Sequence, residues 1–316
     1  MSLDHRSFKK LRISLTDQCN YSCIYCTTNS KPESSILSVQ SKIKPLSTNE
    51  LLSLASKLHN ELALTAVRLT GGEPMLYPHI ERVVEALKEM GIHNIGITTN
   101  GHTLFTKIKA LKDAGLTSVN ISIDALNSET FGLMSQTSGL PFVLRSITST
   151  LEHNIKLKLN TVVVAGKNDD QIIPLLEFAM EHGVIIRFLE LMPMGPLHQN
   201  RKELFFSQAD ILKRIQTKYQ VTQHPHELHA TANYWSVNGK MAFGIIANDS
   251  TPFCADCNRL RLDSYGNIYG CLSSLIPISI YNKNNSELKV SLKKALSDKQ
   301  PAHFVGNERT MQSIGG

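Results

Sequence analysis

The chain has 316 residues, of which 41% are hydrophobic and 19% charged, and its formal net charge is +6. This composition is that of an ordinary globular protein and excludes a fibrous or disordered chain. No run approaches the roughly eighteen consecutive apolar residues of a membrane-spanning helix. The mild positive charge favours a small anionic ligand at least as much as nucleic acid. Because the opening MSLDHRSFKKLRISL lacks an apolar run of signal-peptide length, we expect a cytoplasmic protein.

Short apolar runs alternate with helical patterns over the first two thirds of the chain. The candidate strands are residues 11–15, 66–70, 94–99, 118–123, 157–164 and 184–191, because these runs are rich in β-branched side chains. The helices predicted between them are residues 47–62, 78–90, 104–114, 141–153 and 170–182. The first begins with a capping box formed by Ser47 and Glu50. Six apolar strands joined by helices predict a parallel sheet that is buried on both faces.

The alternation ends near residue 195. Residues 207–217 predict a helix, residues 220–270 predict hairpin-like strands with NG and YGN turns, and one more helix begins near residue 286. Polar and glycine-rich sequences follow the carboxyl ends of the earlier strands: TDQCNYSC, GGEP, NGH, DAL and MPMG. In parallel α/β proteins that edge of the sheet binds ligands. We therefore expect the functional site there.

The six cysteines fall into two widely separated groups. The first triplet is Cys19, Cys23 and Cys26, and the second triplet is Cys254, Cys257 and Cys271. Such grouping favours metal binding or catalysis over a disulfide framework. Three thiolates can bind three irons of a [4Fe-4S] cluster and leave the fourth iron open to another ligand. A zinc site completed by a histidine is the alternative, and for the second triplet the candidates are His224, His226 and His229.

The residues around the first triplet narrow these alternatives. An aromatic side chain, Tyr25, directly precedes Cys26, and TGGEP follows the next strand. This pattern resembles the radical S-adenosylmethionine (SAM) superfamily. The resemblance implies that SAM chelates the open iron of a [4Fe-4S] cluster and is cleaved to a 5′-deoxyadenosyl radical. It also implies SAM-binding roles for Tyr25, Gly72, Ser122 and Met192, with Glu73 nearby.

Further motifs are similar to those of one family, the GTP 3′,8-cyclases. They are LRISLTDQCNYSCIYC, VRLTGGEP, TTNG, FCADCNRLRL and the final IGG, and together they extend the resemblance over essentially the whole chain. The implied reaction is the first step of molybdenum cofactor biosynthesis. The radical takes hydrogen from C3′ of GTP, the carbon radical attacks C8, and reduction yields 3′,8-cyclo-7,8-dihydro-GTP. The resemblance further implies a second [4Fe-4S] cluster at the second triplet, whose open iron binds the purine.

A nucleoside triphosphate carries about four negative charges, so its site needs several cations, preferably arginines. Arg259 and Arg261 alternate in a predicted strand and so point the same way. The resemblance assigns GTP binding to both arginines, to the backbone of Leu260, and to Arg12, Arg68, Thr99 and Lys158. It also implies that the terminal Gly315 and Gly316 insert toward the active site and support catalysis.

The implied fold is an α/β one: an incomplete (βα)6 TIM-type barrel over residues 1–200, followed by a C-terminal α+β extension, residues 201–316, that carries the second cluster. The expected partners are GTP, an external electron donor, a downstream molybdopterin-pathway enzyme and a second copy in a homodimer, but neither nucleic acid nor a membrane. The chain departs from the family pattern at Gln18, Thr27 and Thr28 and over residues 29–44. These departures leave open an altered loop over the first cluster, or a paralogue with another substrate.

Two other hypotheses remain. A radical SAM enzyme that modifies a peptide could use the second cluster as an auxiliary electron carrier. The low cysteine count, the pair Arg259 and Arg261, and the Gly-Gly end argue against it. A non-catalytic zinc or nucleic-acid-binding module is disfavoured by the GGEP loop and by the barrel-like alternation of strands and helices.

Overall fold

The computed structural model describes residues 7–26, 44–194, 201–300, 302–306 and 311–314. Within these ranges the strands are β1 (Lys10–Ser14), β2 (Ala66–Thr70), β3 (Ile95–Thr99), β4 (Ser118–Ser122), β5 (Lys156–Val163), β6 (Ile185–Glu190), β7 (Val221–Gln223), β8 (Asn233–Val237), β9 (Lys240–Ile246), β10 (Arg259–Leu262), β11 (Asn267–Tyr269) and β12 (Ile278–Ser279). The α-helices are α1 (Thr48–Leu62), α2 (Ile80–Glu89), α3 (Ile108–Ala114), α4 (Ser128–Ser135), α5 (Leu140–Glu152), α6 (Ile172–Glu181), α7 (Arg201–Leu204), α8 (Gln208–Gln216), α9 (Asn285–Ser297) and α10 (Met311–Ile314). Some positions named in the sequence analysis lie outside the described residues, namely Thr27, Thr28, residues 29–43, Gly315 and Gly316.

The strands form one sheet whose centre is parallel. β1 to β6 pair in sequence order and in parallel, so the predicted incomplete six-stranded barrel is confirmed. Two strands from the C-terminal part extend it: β10 pairs in parallel with β1, and β9 pairs in parallel with β6. Because strands from residues 201–316 join both edges of the barrel sheet, the division of the chain at residue 200 stays a prediction.

Antiparallel hairpins complete the two ends of the sheet. β7, β8 and β9 form one group, and β10, β11 and β12 form the other. Asn238 and Gly239 join β8 to β9 with φ angles of 52° and 78°. Positive φ at both central residues is the signature of a type I′ turn, as the NG sequence predicts.

The helices pack on the outside of this sheet, largely where the sequence predicts them. Ser47 Oγ accepts a hydrogen bond of 3.4 Å from the Glu50 amide, and Glu50 Oε2 accepts one of 2.8 Å from the Ser47 amide, so the capping box is present. The short helix α4 was not predicted. It begins at Asn127, whose side chain accepts a hydrogen bond of 2.7 Å from the Thr130 amide. Within the part of the chain that the structure describes, every helix is too short or too polar to cross a lipid bilayer.

The inner face of the sheet is polar, although the sequence predicts apolar burial on both faces. Along β5 the side chains alternate between buried and partly buried, and Asn160 and Val162 of this strand line an internal cavity. Leu157 and Leu159, on the alternate positions, belong to the hydrophobic core with the helices. The strands therefore place their apolar residues outward, toward the helices, and leave a barrel interior that can hold a polar ligand.

Candidate functional site

Both cysteine triplets line a single cavity of about 320 Å³ inside the barrel. All six cysteines are free thiols and half-buried. The other predicted site residues that line the cavity are Tyr25, Gly72, Ser122, Met192, Arg12, Thr99, Arg259 and Arg261. Of the predicted site residues that the structure describes, three are not among the lining residues, namely Arg68, Lys158 and Leu260. The fold thus brings together side chains from residue 12 to residue 271 around one internal space.

The loop that carries the first triplet follows β1 and is held by α4. The amides of Ser22 and Ile24 donate hydrogen bonds of 3.3 and 3.0 Å to the carbonyls of Ser135 and Met134 at the end of that helix. The Tyr21 hydroxyl lies 3.1 Å from Nδ1 of His102, in a hydrogen bond with the loop after β3. These contacts fix the loop between two barrel segments, so the three thiols are presented by a supported backbone.

The environment of the first triplet fits a cluster bound through thiolates. The amide of Tyr21 and Nδ2 of Asn100 donate hydrogen bonds to Sγ of Cys19, at 3.5 and 4.0 Å. N–H donors of this kind stabilise and tune iron-bound sulfur. Burial raises the pKa of the Cys19 thiol and raises that of Cys23 well above its ordinary value. A free thiolate is costly here, whereas a metal-bound thiolate is stabilised by its iron.

Gly71 and Gly72 are needed for contact between two backbone segments. The Gly72 amide donates a hydrogen bond of 2.7 Å to the carbonyl of Thr16, and the Glu73 amide donates one of 2.7 Å to the carbonyl of Gln18. A Cβ atom on Gly72 would overlap the Gln18 carbonyl oxygen. The sequence indicates close approach of this loop to a ligand. In the structure the close approach is to the residues that lead into the first triplet.

Glu73 is a buried carboxylate that joins the GGEP loop to the end of β3. Its Oε1 accepts hydrogen bonds from the Thr99 hydroxyl, at 2.5 Å, and from the Met75 amide, at 3.0 Å. Its Oε2 accepts a hydrogen bond of 2.7 Å from the Asn100 amide. Burial raises the pKa of Glu73 to about 7, although the three donors oppose this shift. The Thr99 hydroxyl also accepts a hydrogen bond of 3.0 Å from the Gly101 amide, so Thr99 has a structural role in this junction.

Tyr25 is held by an acid that the sequence analysis missed. Its hydroxyl donates a hydrogen bond of 2.7 Å to Oδ2 of Asp124, and the amide of Val162 donates one of 2.9 Å to Oδ1. Burial raises the pKa of Asp124 to about 6. The motif DAL after the fourth strand was the available signal for this residue. The hydrogen bonds link the aromatic ring next to Cys26 to β4 and β5, so its orientation is fixed from two sides.

Ser122 and Met192 lie at the carboxyl ends of β4 and β6. Met192 packs against a small apolar cluster that contains the buried side chains of Met194, Tyr269 and Ile314. Leu272, next to Cys271, contacts the same cluster. The last described helix, α10, therefore packs between the predicted SAM site and the second triplet.

The second triplet lies at the opposite end of the barrel from the first. In the parallel pair of β1 and β10, Lys10 is in register with Arg259, and Arg12 with Arg261. Cys257 precedes the start of β10, whereas Cys19 follows the end of β1, so the two thiols mark opposite ends of neighbouring strands. The sequence predicts ligands only at the carboxyl ends. The pairing of β10 with β1 adds a second ligand-binding position at the amino ends.

The second triplet also fits a thiolate-bound group. Burial raises the pKa of Cys254 to about 11, and the neighbouring Cys271 and Cys257 add to that shift. Burial opposes ionisation of Cys257 as well, but the positive charges of Arg259 and Lys299 outweigh it and lower its pKa to about 6. One thiol of this triplet is thus poised to bind metal as a thiolate at neutral pH.

One ring nitrogen of each histidine proposed for a zinc site has a hydrogen-bond partner in the protein. His224 Nε2 lies in hydrogen-bond contact with the Ser236 hydroxyl, His226 Nδ1 lies 2.8 Å from Asn233 Oδ1, and His229 Nδ1 lies 2.6 Å from the Asp256 carbonyl. Among the described residues, no three His, Cys, Asp or Glu side chains meet closely enough to hold one metal ion. Each thiol of a [4Fe-4S] cluster binds a different iron, so cluster ligands need not converge on one point.

Arginines occupy the barrel interior between the two triplets. Arg12 is in register with Arg68 on one side and Arg261 on the other. Burial lowers the pKa of Arg12 well below its ordinary value, and the positive charges of Arg261, Arg259, Arg68 and Arg187 lower it further. Over the described part of the chain, Arg12, Arg68 and Arg187 form no salt bridge with a carboxylate. Crowded guanidinium groups of this kind fit a polyanionic ligand.

Arg187 is a site residue that the sequence analysis missed. It lines the cavity, and its Nε donates a hydrogen bond of 2.9 Å to Oδ1 of Asn160 on the neighbouring strand. The signal was present, because VIIRFLEL contains an arginine flanked by apolar residues, as β1 and β2 do. Arg187 thus adds one more cation to the interior.

The three predicted residues outside the cavity lining have other contacts. Arg68 Nη1 donates a hydrogen bond of 3.1 Å to the Ile97 carbonyl, and Gly96 leaves the space that its guanidinium fills. Lys158 Nζ donates a hydrogen bond of 2.9 Å to the Tyr234 hydroxyl. The Leu260 side chain is fully buried in the core. Their roles in ligand binding stay predictions.

Two family profiles match most of the chain. The profile of the Radical SAM superfamily matches residues 13–179, and the profile called Molybdenum Cofactor Synthesis C matches residues 184–305. The first contains the first triplet and the GGEP loop, and the second contains the second triplet. The two matches therefore correspond to the two ends of the cavity.

Similar proteins are found among curated sequences and solved structures. The GTP 3′,8-cyclase of Synechocystis sp. is 35% identical over 311 residues, which cover 98% of this chain and 93% of that protein. Molybdenum cofactor biosynthesis protein 1 of Dictyostelium discoideum is 36% identical over 95% of this chain, but the match spans 46% of that protein. The structure of Streptococcus suis SuiB bound to S-adenosylmethionine superposes with a TM-score of 0.63 at 16% identity, over 90% of this chain and 66% of that one. At this identity the structural match shows the shared fold alone.

Proposed function

Because the chain belongs to the GTP 3′,8-cyclase family of the radical SAM superfamily, we propose that it converts GTP into 3′,8-cyclo-7,8-dihydro-GTP, the first step of molybdenum cofactor biosynthesis. One observation carries the proposal: both triplets line the same cavity, with arginines between them. A substrate in this cavity can lie against one metal centre while a radical forms at the other.

The first triplet and its surroundings hold the radical-generating cofactors in this proposal. Cys19, Cys23 and Cys26 bind a [4Fe-4S] cluster. When bound and reduced, the cluster supplies the electron that cleaves SAM to methionine and a 5′-deoxyadenosyl radical. Gly72 offers backbone to the methionine end of SAM. Tyr25, oriented by Asp124, contacts SAM beside the cluster.

The walls of the barrel between the cofactors and the arginines protect the radical. Val162, Leu189 and Ile246 are in register across β5, β6 and β9, and all three line the cavity. This layer is apolar. In this proposal it keeps water away from the adenosyl group.

In this proposal the next layer of side chains, nearer the amino ends of the strands, binds the substrate. Arg187 and Asn160 are in register two residues toward the amino ends of the same strands, and Arg12 and Arg261 line the cavity at their own register position. Their guanidinium groups offset the negative charge of the triphosphate. Cys254, Cys257 and Cys271 would hold a second [4Fe-4S] cluster, which would supply a metal position for the purine of GTP. The ribose is then held in a fixed orientation toward the first cluster.

The wider setting of the reaction is also part of the proposal. Cleavage of SAM consumes one electron, so an external low-potential electron donor must reduce the first cluster. We expect a cytoplasmic protein, product transfer to a downstream molybdopterin-pathway enzyme, and assembly as a homodimer. Sedimentation of the anaerobic protein over a range of concentrations tests the homodimer directly.

Anaerobic reconstitution tests the proposed reaction. The protein is loaded with iron and sulfide and incubated with GTP, SAM and dithionite, and both 5′-deoxyadenosine and the cyclised nucleotide are quantified by mass spectrometry. We expect about eight irons per chain, four for each cluster, and formation of both products. Much less iron would remove the two-cluster site, and iron with SAM cleavage but no GTP product would favour the peptide-modifying alternative.

Variants in the two triplets serve as controls for each other. Cys271→Ser should preserve 5′-deoxyadenosine formation but abolish GTP cyclisation, because it removes a ligand of the substrate-binding cluster. Cys23→Ser should abolish both products. If both variants lost SAM cleavage equally, the assignment of SAM cleavage to the first triplet and of GTP binding to the second would be wrong.

A further inference from the structure

The amine of Lys299 makes three hydrogen bonds beside the second triplet. Lys299 follows α9 and is 5% exposed. Its Nζ donates hydrogen bonds of 2.9 Å to the carbonyls of Arg259 and Gly270, and one of 3.3 Å to Sγ of Cys257. An ammonium group has three N–H donors. These contacts use all of them, so the amine is committed to the protein and to a metal-ligand sulfur.

The two carbonyls belong to the two segments that carry the second triplet. Arg259 begins β10, two residues after Cys257, and Gly270 directly precedes Cys271. Gly270 also packs so tightly against α9 that a Cβ atom there would overlap the carbonyl oxygen of Ala295. Lys299 therefore links both ligand segments to the end of α9. Its position is set by packed backbone and not by a flexible surface loop.

The charge of Lys299 needs an anionic neighbour. A buried ammonium is costly unless it is paired, yet within the described ranges Lys299 forms no salt bridge with a carboxylate. The positive charge of Arg259 acts against the ammonium and lowers the pKa of Lys299, as burial does. A [4Fe-4S] cluster with three thiolates carries about one net negative charge when oxidised and about two when reduced. The negative charge of such a cluster would stabilise the ammonium, and the reduced cluster would stabilise it more strongly than the oxidised one.

We propose that Lys299 is a positioning residue of the second iron-sulfur cluster, which fixes Cys257 through an N–H···S hydrogen bond and raises the reduction potential of the cluster through its positive charge. The inference rests on the proposed function, because it requires a cluster at the second triplet. It goes beyond that function by assigning control of the cluster to a residue outside both cysteine motifs. Hydrogen bonds to sulfur and nearby charge are established determinants of cluster potential.

The test isolates the second cluster in the full chain. A parent protein with Cys19→Ala, Cys23→Ala and Cys26→Ala is reconstituted anaerobically, and the reduced cluster is titrated against potential by EPR. Lys299→Met removes both the charge and the donor, and Lys299→Arg keeps both. Lys293→Met removes an exposed lysine from the preceding helix, α9, and is the matched control. We expect a lower potential for Lys299→Met, partial recovery for Lys299→Arg, and the parent value for Lys293→Met. An unchanged potential in Lys299→Met at full iron content would overturn the inference.

A second measurement is made on the parent protein, in which Lys299 is unchanged. The parent protein is labelled with ¹⁵N at the lysine side chains, and the reduced cluster is examined by pulsed EPR. A nitrogen in hydrogen-bond contact with a ligand sulfur should give a ¹⁵N coupling that is absent from Lys299→Arg. If the labelled parent shows no such coupling, Lys299 does not contact the cluster. If the parent binds no iron, the two-cluster proposal itself fails, which is a distinct result from iron binding without a lysine effect.

Discussion

The hydroxyl of Thr99 donates a hydrogen bond of 2.5 Å to Oε1 of Glu73, inside the buried junction between β3 and the GGEP loop. This contact joins two motifs that are separated in the sequence but adjacent in the sheet. It explains why a carboxylate follows the two glycines: it accepts hydrogen bonds from three donors and fixes the loop that packs against the approach to the first triplet.

Glu73 should make stability depend on pH. Burial raises its pKa from 4.5 to about 7, so between these values the folded chain binds more protons than the unfolded chain. The free energy of unfolding should therefore fall as the pH rises through this window, by on the order of 3 kcal/mol from this group alone. Urea unfolding of cluster-free wild type and Glu73→Gln at pH 5 and pH 7 checks it. The advantage of wild type over the variant should shrink at the higher pH; a constant difference would contradict the prediction.

Arg187 should contribute to GTP binding although it lies outside the recognised motifs. Arg187→Leu removes a cation from the polar layer of the cavity. We expect GTP affinity to weaken about 10- to 100-fold, as for loss of one hydrogen bond to a charged group, with SAM cleavage in the absence of GTP retained. Anaerobic calorimetry measures the affinity. Arg82→Leu, on the exposed face of α2, is the matched control and should bind GTP as wild type does; equal affinity of both variants would remove Arg187 from the site.

Gly72 should tolerate no side chain. A Cβ atom there would overlap the Gln18 carbonyl oxygen, so Gly72→Ala must push the GGEP loop away from the segment that leads to Cys19. We expect loss of SAM binding and reduced iron at the first triplet, while the second cluster is retained. Gly132→Ala is the control, since the new methyl group would meet Thr137 O at an ordinary contact distance of 3.8 Å. If Gly72→Ala matched Gly132→Ala in iron content and in SAM cleavage, the GGEP loop would be able to accept a Cβ atom and the prediction would be wrong.

Removal of Gly315 and Gly316 should separate radical formation from GTP conversion. The preceding Ile314 is 1% exposed and packs in the apolar cluster with Met194 and Tyr269, and Met194 lines the cavity. We expect the truncated protein to keep both clusters and to form 5′-deoxyadenosine, with less cyclised product. Product analysis of the reconstituted enzyme measures this. Undiminished cyclised product would exclude a role for the two glycines.

The parallel core could be predicted because its signals are local. Each of β1 to β6 lies in a short run that is rich in apolar or β-branched residues, and the capping box at Ser47 and Glu50 marks the first helix within four residues. The helix α4 was missed since its sequence, SETFGLMS, contains a glycine and follows polar residues without a long apolar stripe. Its importance became apparent only from its contacts with the loop of the first triplet.

The site was predicted where residues form compact motifs and missed where the sheet assembles it. Both triplets, Tyr25 and the Arg259–Arg261 pair lie within short recognisable segments. Arg187, Asp124 and Lys299 are single residues whose roles depend on strand pairing and on helix packing between distant segments. The placement of the second triplet at the amino ends of the strands likewise follows from the pairing of β10 with β1, which no local pattern encodes.

The parallel register between β1 and β10 determines the distance between the two cysteine triplets. Four residue steps separate the levels of Lys10 and Ser14, or roughly 13 Å of strand at about 3.3 Å per residue, and the triplets lie beyond the two ends of this span. A slip of one residue would turn Arg261 out of the cavity, turn Leu260 into it, and change the gap between the metal centres. In the proposed function, these backbone hydrogen bonds therefore set the length of the substrate that fits between the two metal centres.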